Sequence, residues 1–419
     1  MSSLNIIVIG GGAAGFFGAI TAAETFPNAT VTILEKNRTV LNKVRISGGG
    51  RCNVTHACFD NRKLVKYYPR GEKPLRSLLS QFDAASTVDW FERRGVKLKT
   101  EADGRMFPAT NTSETIVDCL LNTARQLGIQ VRTSCGVAAL RRNGSSRWSV
   151  ELLTNETLIA DRVLIATGGY PQLMSYSWLP EQTEPLLSPV PSLFTFNTPD
   201  SYLLPLAGVS VPDAKVYVLE TKQEQRGPVL ITHWGFSGPA ILRLSAWAAR
   251  ELADAHYRFT LRINWTPDLN DNSLRSKLQD FRQQNGRKQV VSQNPFGLPS
   301  RLWQAFAVEA GISDLQRWAD LPAKLLNRLA ERIINSQFQV SGKTTFKDEF
   351  VTCGGISLDG LNQQTLESKA QPGLFFAGEV LDVDGITGGF NFQNAWTTGF
   401  IAGLAIGNKA SSLQPSSAS

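Results

Sequence analysis

LNIIVIGGGAAGFFGAITAAETFPNATVTILE, residues 4–35, decides the fold. Leu4 to Ile9 is an apolar run of strand length. Gly10, Gly12 and Gly15 follow in G-x-G-x-x-G spacing, and a helix is predicted from about Ala13 to Thr25, closed by Pro27 and Asn28. A second apolar strand, ATVTILE, ends on Glu35. Strand, glycine turn, helix, strand and acid form the context that the dinucleotide fingerprint requires. Gly10 permits a tight turn, Gly12 lets a pyrophosphate approach the backbone, and Gly15 lets the helix pack on the strand. Ala13 and Ala14 open the helix, whose free N–H groups favour an anion. Glu35 can accept hydrogen bonds from the ribose hydroxyls and disfavours a 2′-phosphate there.

Three further segments select FAD over NAD. The first is KNRTVLNKVRISGGGRCN, residues 36–53. Ser47, Gly48, Gly49, Gly50, Arg51, Cys52 and Asn53 form a loop that a ligand can approach closely, with Lys36, Lys43 and Arg45 adding positive charge. The second is RVLIATGG, an apolar strand running into Thr167 and Gly168. The third is GLFFAGEVLDVDGITGGFNFQNAW, from Gly373. Its strand reaches Gly378 and Glu379, an acid placed for ribityl or ribose hydroxyls. Asp384, Gly388 and Gly389 then lead into an apolar helix from about Phe390 to Ile406, whose positive end would face the flavin ring. Asp382 and Asp384 are candidates for cofactor or substrate polar groups, and Asn391 and Gln393 for the flavin edges. No second G-x-G-x-x-G follows a strand, so NAD(P)H is expected only as a transient reductant.

The expected fold class is α/β. A Rossmann-like FAD-binding domain spans 1–190 and 338–409, with a small β-barrel-like domain at 191–265 and a helical domain at 266–337 inserted. The proline-rich stretch from Pro189 to Pro212 marks the boundary. KVYVLE, GPVLITH and YRFTLRIN read as strands of the β domain. Ser273, Ser300 and Ser313 are candidate helix caps, and Pro322 suits a first turn. Residues 410–419 are expected to be disordered.

VIGGGAAG, ISGGGRCNVTH, GRMFPAT, THWGFSGPAIL, VTCGGISL and FAGEVLDVDGITGGFNFQNAW occur in the order that resembles the BaiN/RdsA-type NAD(P)/FAD-dependent oxidoreductases, also called aminoacetone-oxidase-like flavoproteins. The resemblance extends to about residue 407 and is weakest between about 265 and 340. It implies FAD, the inserted-domain arrangement and reduction of an activated C=C bond. Functions within the family include rRNA dihydrouridine synthesis and bile-acid double-bond reduction. Cys353 departs from the pattern, which often has a small apolar residue there.

With 43 basic and 36 acidic residues the net charge is +7, which permits a polyanionic partner without demanding one. The five cysteines form no C-x-x-C pair, so no metal site is expected. The start lacks a basic leader region and no run reaches membrane-span length, so a cytoplasmic protein with no membrane partner is expected. Proton donation to the substrate falls to Cys52 or to His233, one of three histidines. RKLVKYYPRGEKPLR, residues 62–76, places Tyr67 and Tyr68 among six cations, and Arg275, Lys277, Arg282, Arg287, Lys288, Lys324, Arg328 and Arg332 add charge further on. Such segments suit RNA phosphates and base stacking. With the resemblance, the leading expectation is uridine reduced to 5,6-dihydrouridine in ribosomal RNA. The alternatives are a small-molecule flavin oxidoreductase, either an amine oxidase or an enoate-type reductase, and a non-catalytic flavin-containing RNA-binding assembly factor.

Overall fold

A computed structural model describes residues 4–144, 147–180, 185–344 and 351–411. Two compact units divide the chain: 1–191 with 347–419, and 192–346. In the first, β1 (Asn5–Ile9) leads through a glycine turn into α1 (Ala13–Thr25) and β2 (Thr30–Leu34). Then follow α2 (Glu114–Gln126), β3 (Gln130–Arg132), β4 (Arg162–Ile165), β5 (Leu374–Phe376) and α3 (Phe390–Ser411). The five strands form one parallel sheet in the order β5-β4-β1-β2-β3. Parallel pairing brings every carboxyl end to one edge, and β1 sits where the chain reverses direction across the sheet, the usual ligand crevice of an open α/β sheet.

The strands are almost wholly buried, as a sheet covered on both faces must be. One cover is the pair α1 and α3, which run parallel and meet through small residues. A Cβ at Gly403 would lie 2.4 Å from the Gly18 carbonyl oxygen, and one at Gly399 would lie 2.7 Å from that of Ala14. Phe17 and Trp396 pack beside this contact at 5.2 Å between ring centroids. The last helix runs past the expected Ile406 to Ser411, so the expected disordered tail begins within it; residues 412–419 lie outside the described residues.

The second unit carries a seven-stranded antiparallel sheet. Its order is Ser336–Ser341, Arg258–Asn264, Ser210–Val218, Glu224–Thr232, Gly235–Ser237, Thr195–Asn197 and Lys343–Thr344. The two edge strands are chain neighbours joined through Gly342, so the sheet must curl back on itself. That is the barrel-like form. The helices Asp271–Gln284, Ser300–Glu309 and Ala323–Ile334 share one hydrophobic core with these strands, from Phe194 to Val340. The separate β and helical domains expected at 191–265 and 266–337 are thus a single compact unit here. Trp265 shows why: its ring lies 6.3 Å from Phe236 of the sheet and 5.9 Å from Phe306 of a helix.

Capping differs in detail. Asn270 caps the first of these helices and Ser273 is its third residue, closing a reciprocal capping box. Ser300 opens the second helix after Pro299, and Pro322 precedes the third. Ser313 begins no helix.

Candidate functional site

At the carboxyl edge of the sheet, Gly10 has φ +113, and its N–H donates to the Leu34 carbonyl at 2.8 Å. A Cβ at Gly15 would lie 1.9 Å from the Gly10 carbonyl oxygen, so only glycine lets α1 start this close to β1. Gly12 is different: nothing lies within 4 Å of its missing Cβ. Gly12 is also the N-cap of α1 and has no side chain to satisfy the first-turn N–H groups. Unsatisfied donors facing open space at a helix start fit a diphosphate.

Glu35 leaves the end of β2 and is held firmly. It accepts from the Gly11 N–H at 2.9 Å, from the Asn37 N–H at 2.8 Å and from the Asn37 amide at 2.6 Å. Its oxygens keep lone pairs for a sugar hydroxyl. At the neighbouring strand ends, Glu379 accepts from the Thr352 N–H at 3.0 Å and pairs with Lys43 at 2.7 Å. A Cβ at Gly168 would lie 4.0 Å from the same carboxylate, and one at Gly378 would lie 2.8 Å from Ala14. Residues from four strand ends therefore share one edge with Lys43. The Thr352 hydroxyl, buried beside Gly169, has no hydrogen-bond partner among the described residues.

The SGGG segment is not a simple loop. A helix from Asn42 breaks at Ser47, and Gly48, Gly49, Gly50 and Cys52 all take left-handed φ angles. Gly49 and Gly50 face open space. Asn53 then joins this segment to the distant glycine turn: its amide accepts from the Gly389 N–H at 2.9 Å and donates to the Thr55 carbonyl at 3.0 Å. Trp396 of α3 donates its indole N–H to the Val54 carbonyl at 2.9 Å. Thr55 donates to the Gln393 amide oxygen at 2.6 Å, which Thr87 also reaches at 3.0 Å.

Several expected contacts are spent inside the protein. Gln393 is fully buried, and its amide N–H donates to Thr397. Asn391 makes reciprocal bonds to the Gly385 backbone at 2.8 and 2.9 Å, closing the turn instead of reaching a flavin edge. Asp384 is buried and pairs with Arg70 through both carboxylate oxygens. Asp382 accepts from the Gly354 N–H at 2.9 Å. Phe390 packs between aromatic neighbours, 4.9 Å from His56 and 4.5 Å from Tyr67. Arg51 pairs with Glu101 at 2.6 Å and lies over the Phe107 ring. Ser47 donates to the Val44 carbonyl at 3.1 Å. Lys36 is exposed, its ammonium above Tyr170. Thr167 lies part-buried at the end of β4.

The proton-donor candidates fare unequally. Cys52 has no solvent exposure, and burial pushes its thiol up to about 12. That environment makes it a packing residue and removes it from contact with a substrate. His233 is exposed in the second unit, on the turn between Glu224–Thr232 and Gly235–Ser237. His56, which sequence reasoning passed over, is half-buried, with Nε2 bonded to the Asp103 carbonyl at 3.1 Å. Its Nδ1 is buried without a partner among the described residues. Its position directly after RCNVT was the available signal. Among the described residues no cluster of His, Cys, Asp or Glu could hold a metal, and no helix is long and apolar enough to cross a membrane.

The profile of the HI0933-like protein Rossmann domain matches residues 4–405. A 3-dehydro-bile acid delta(4,6)-reductase of Clostridium scindens is 28% identical, over 96% of this chain and 98% of its own. Ribosomal RNA dihydrouridine synthases of Escherichia coli and Haemophilus influenzae are 28% and 27% identical. They align over 95% and 96% of this chain, and over 96% and 98% of their own.

Proposed function

The chain belongs to the HI0933-like Rossmann family and is an FAD-dependent oxidoreductase, and on that premise we propose that it reduces an activated C=C bond, with uridine in ribosomal RNA as its substrate and 5,6-dihydrouridine as the product. The observation that carries the flavin site is the Asn53–Gly389 contact, which ties the two glycine-rich segments together near the carboxyl edge of the sheet. Bound FAD supplies the hydride. Gly10 to Ala13 would hold its diphosphate, and Glu35 the adenosine ribose. Glu379 with Lys43 would hold the ribityl hydroxyls, with Thr167 and Gly168 beside them. Gly388 and Gly389 would place the positive start of α3 at the ring, where it stabilises negative charge.

The choice of uridine rests on the two relatives named as ribosomal RNA dihydrouridine synthases. The bile acid reductase favours a second reading, the same chemistry on a small conjugated molecule. In either case one carbon takes hydride and its neighbour takes a proton, for which His233 is the proposed donor. NAD(P)H is the proposed reductant of the flavin.

Mapping dihydrouridine in rRNA from cells lacking the gene separates the readings. A single lost modification, restored by the wild type and reduced by His233→Gln, supports RNA. An unchanged map, with purified protein reducing a conjugated enone, moves the assignment to the small molecule.

A further inference from the structure

Residues 62–76 presented Tyr67 and Tyr68 as rings for stacking on bases, and the fold turns both away from solvent. Tyr68 is 1% exposed and donates its hydroxyl to the Phe390 carbonyl at 2.7 Å. Tyr67 is half-buried against Phe390. Arg70 likewise turns inward to Asp384. These contacts, with the Ile386 N–H donating to the Tyr67 carbonyl at 3.0 Å, fasten the segment to the turn that leads into α3.

The opposite face is left to solvent. Arg62, Lys63 and Lys66 lie on the short helical turns Asn61–Leu64 and Val65–Tyr67, and Lys73 and Arg76 on the helix Glu72–Leu78. Asn61 ties the two helical pieces together by donating to the Leu79 carbonyl at 3.0 Å. All five cations are exposed, and among the described residues none is paired with a carboxylate. The stretch holds two acids, Asp60, which also caps the Arg62 N–H at 2.9 Å, and Glu72, against these five positive charges. Phe59 precedes this face with 54% of its surface exposed, the most exposed Phe, Tyr or Trp ring among the described residues.

We propose that Phe59 with Arg62, Lys63, Lys66, Lys73 and Arg76 forms a surface that holds single-stranded RNA, the ring stacking on an unpaired base and the cations meeting its phosphates. This rests on the ribosomal RNA reading above and names the part of the chain that recognises the strand. Charge alone would serve any polyanion. An exposed ring among cations adds a flat apolar platform that a nucleobase can cover. Because the same segment is pinned by its other face to the Asp384–Phe390 turn, RNA held here lies beside the turn proposed to face the flavin ring.

Fluorescence anisotropy with a labelled oligouridylate of about 15 nucleotides tests this on the full-length holoprotein. Phe59→Ala is expected to weaken binding on the order of 10-fold, and Phe59→Trp to retain it. Lys63→Ala with Lys66→Ala is expected to weaken binding and lower the log–log salt slope by about 1.4. Flavin absorbance and melting temperature stay at wild-type values in all three. Wild-type affinity in both the Phe59→Ala and the lysine variants would overturn this surface while leaving the RNA substrate intact. Loss in the lysine variant alone, with polyglutamate bound as tightly as RNA, would overturn base stacking and mark an acidic-protein site. Wild-type protein that ignores RNA altogether would instead remove the RNA reading itself.

Discussion

At the residue scale, Gly12 and Gly15 separate two jobs that one motif combines. A side chain at Gly15 meets backbone, whereas a side chain at Gly12 enters open space where the diphosphate is proposed to lie. Gly12→Val should therefore cost only about 1 kcal/mol of apoprotein stability, the usual scale of an N-cap change, yet strip the flavin. Flavin absorbance after gel filtration, read with a urea titration of the apoprotein, checks both halves. His56 gives a pH prediction. Burial holds its imidazole below the ordinary 6.5, against the opposing pull of the Asp103 carbonyl. The unfolded chain thus binds the proton first. The associated stability is whole above about pH 6.5 and is lost as pH falls through the window down to the folded value. In His56→Asn the urea midpoint should fall less steeply between about pH 7 and pH 5 than in the wild type; parallel curves would show that His56 does not titrate in this way.

At the element scale, the contact that matters most is α1 against α3. The first residues of α1 receive the proposed diphosphate, the first residues of α3 face the proposed ring, and the two helices touch through Gly18, Gly399 and Gly403. Gly403→Leu would drive a side chain into the Gly18 carbonyl and should cost about 3 kcal/mol, with weaker FAD binding although Gly403 lies far along α3. A urea midpoint together with a flavin titration measures this, and wild-type values for both would contradict the coupling. In the sequence, the apolar run on α3 reads equally as a helix buried by any neighbour. Which helix it meets depends on β5 pairing with β4, a contact across more than half the chain.

At the scale of the whole molecule, the second unit behaves as one core. Trp265 bridges sheet and helices and donates its indole N–H to the Ser336 hydroxyl at 3.0 Å. Trp265→Ala should cost about 3–5 kcal/mol. Hydrogen exchange should show strand Arg258–Asn264 and helix Ser300–Glu309 losing protection together. Independent loss in either would restore the picture of separate inserted domains. The change from strand to helix pattern after residue 265 does not mark a domain boundary, because strands and helices differ in periodicity whether or not they share a core. Periodicity reports which face is apolar and says nothing of what covers it.

From its residues alone the chain declared the strand–glycine–helix turn, the acid at Glu35, the ATGG strand end and the closing GE and TGG segments, because each depends on local backbone geometry or on spacing within one supersecondary unit. Tertiary structure decided which polar groups remain available. Gln393, Asn391, Asp384, Tyr68 and Cys52 carry the right chemistry, but each is consumed by a partner or by burial, several of those partners more than 300 positions away. A hydrogen-bonding or titrating side chain is defined by what it still has left to offer, and that depends on the neighbours folding brings to it.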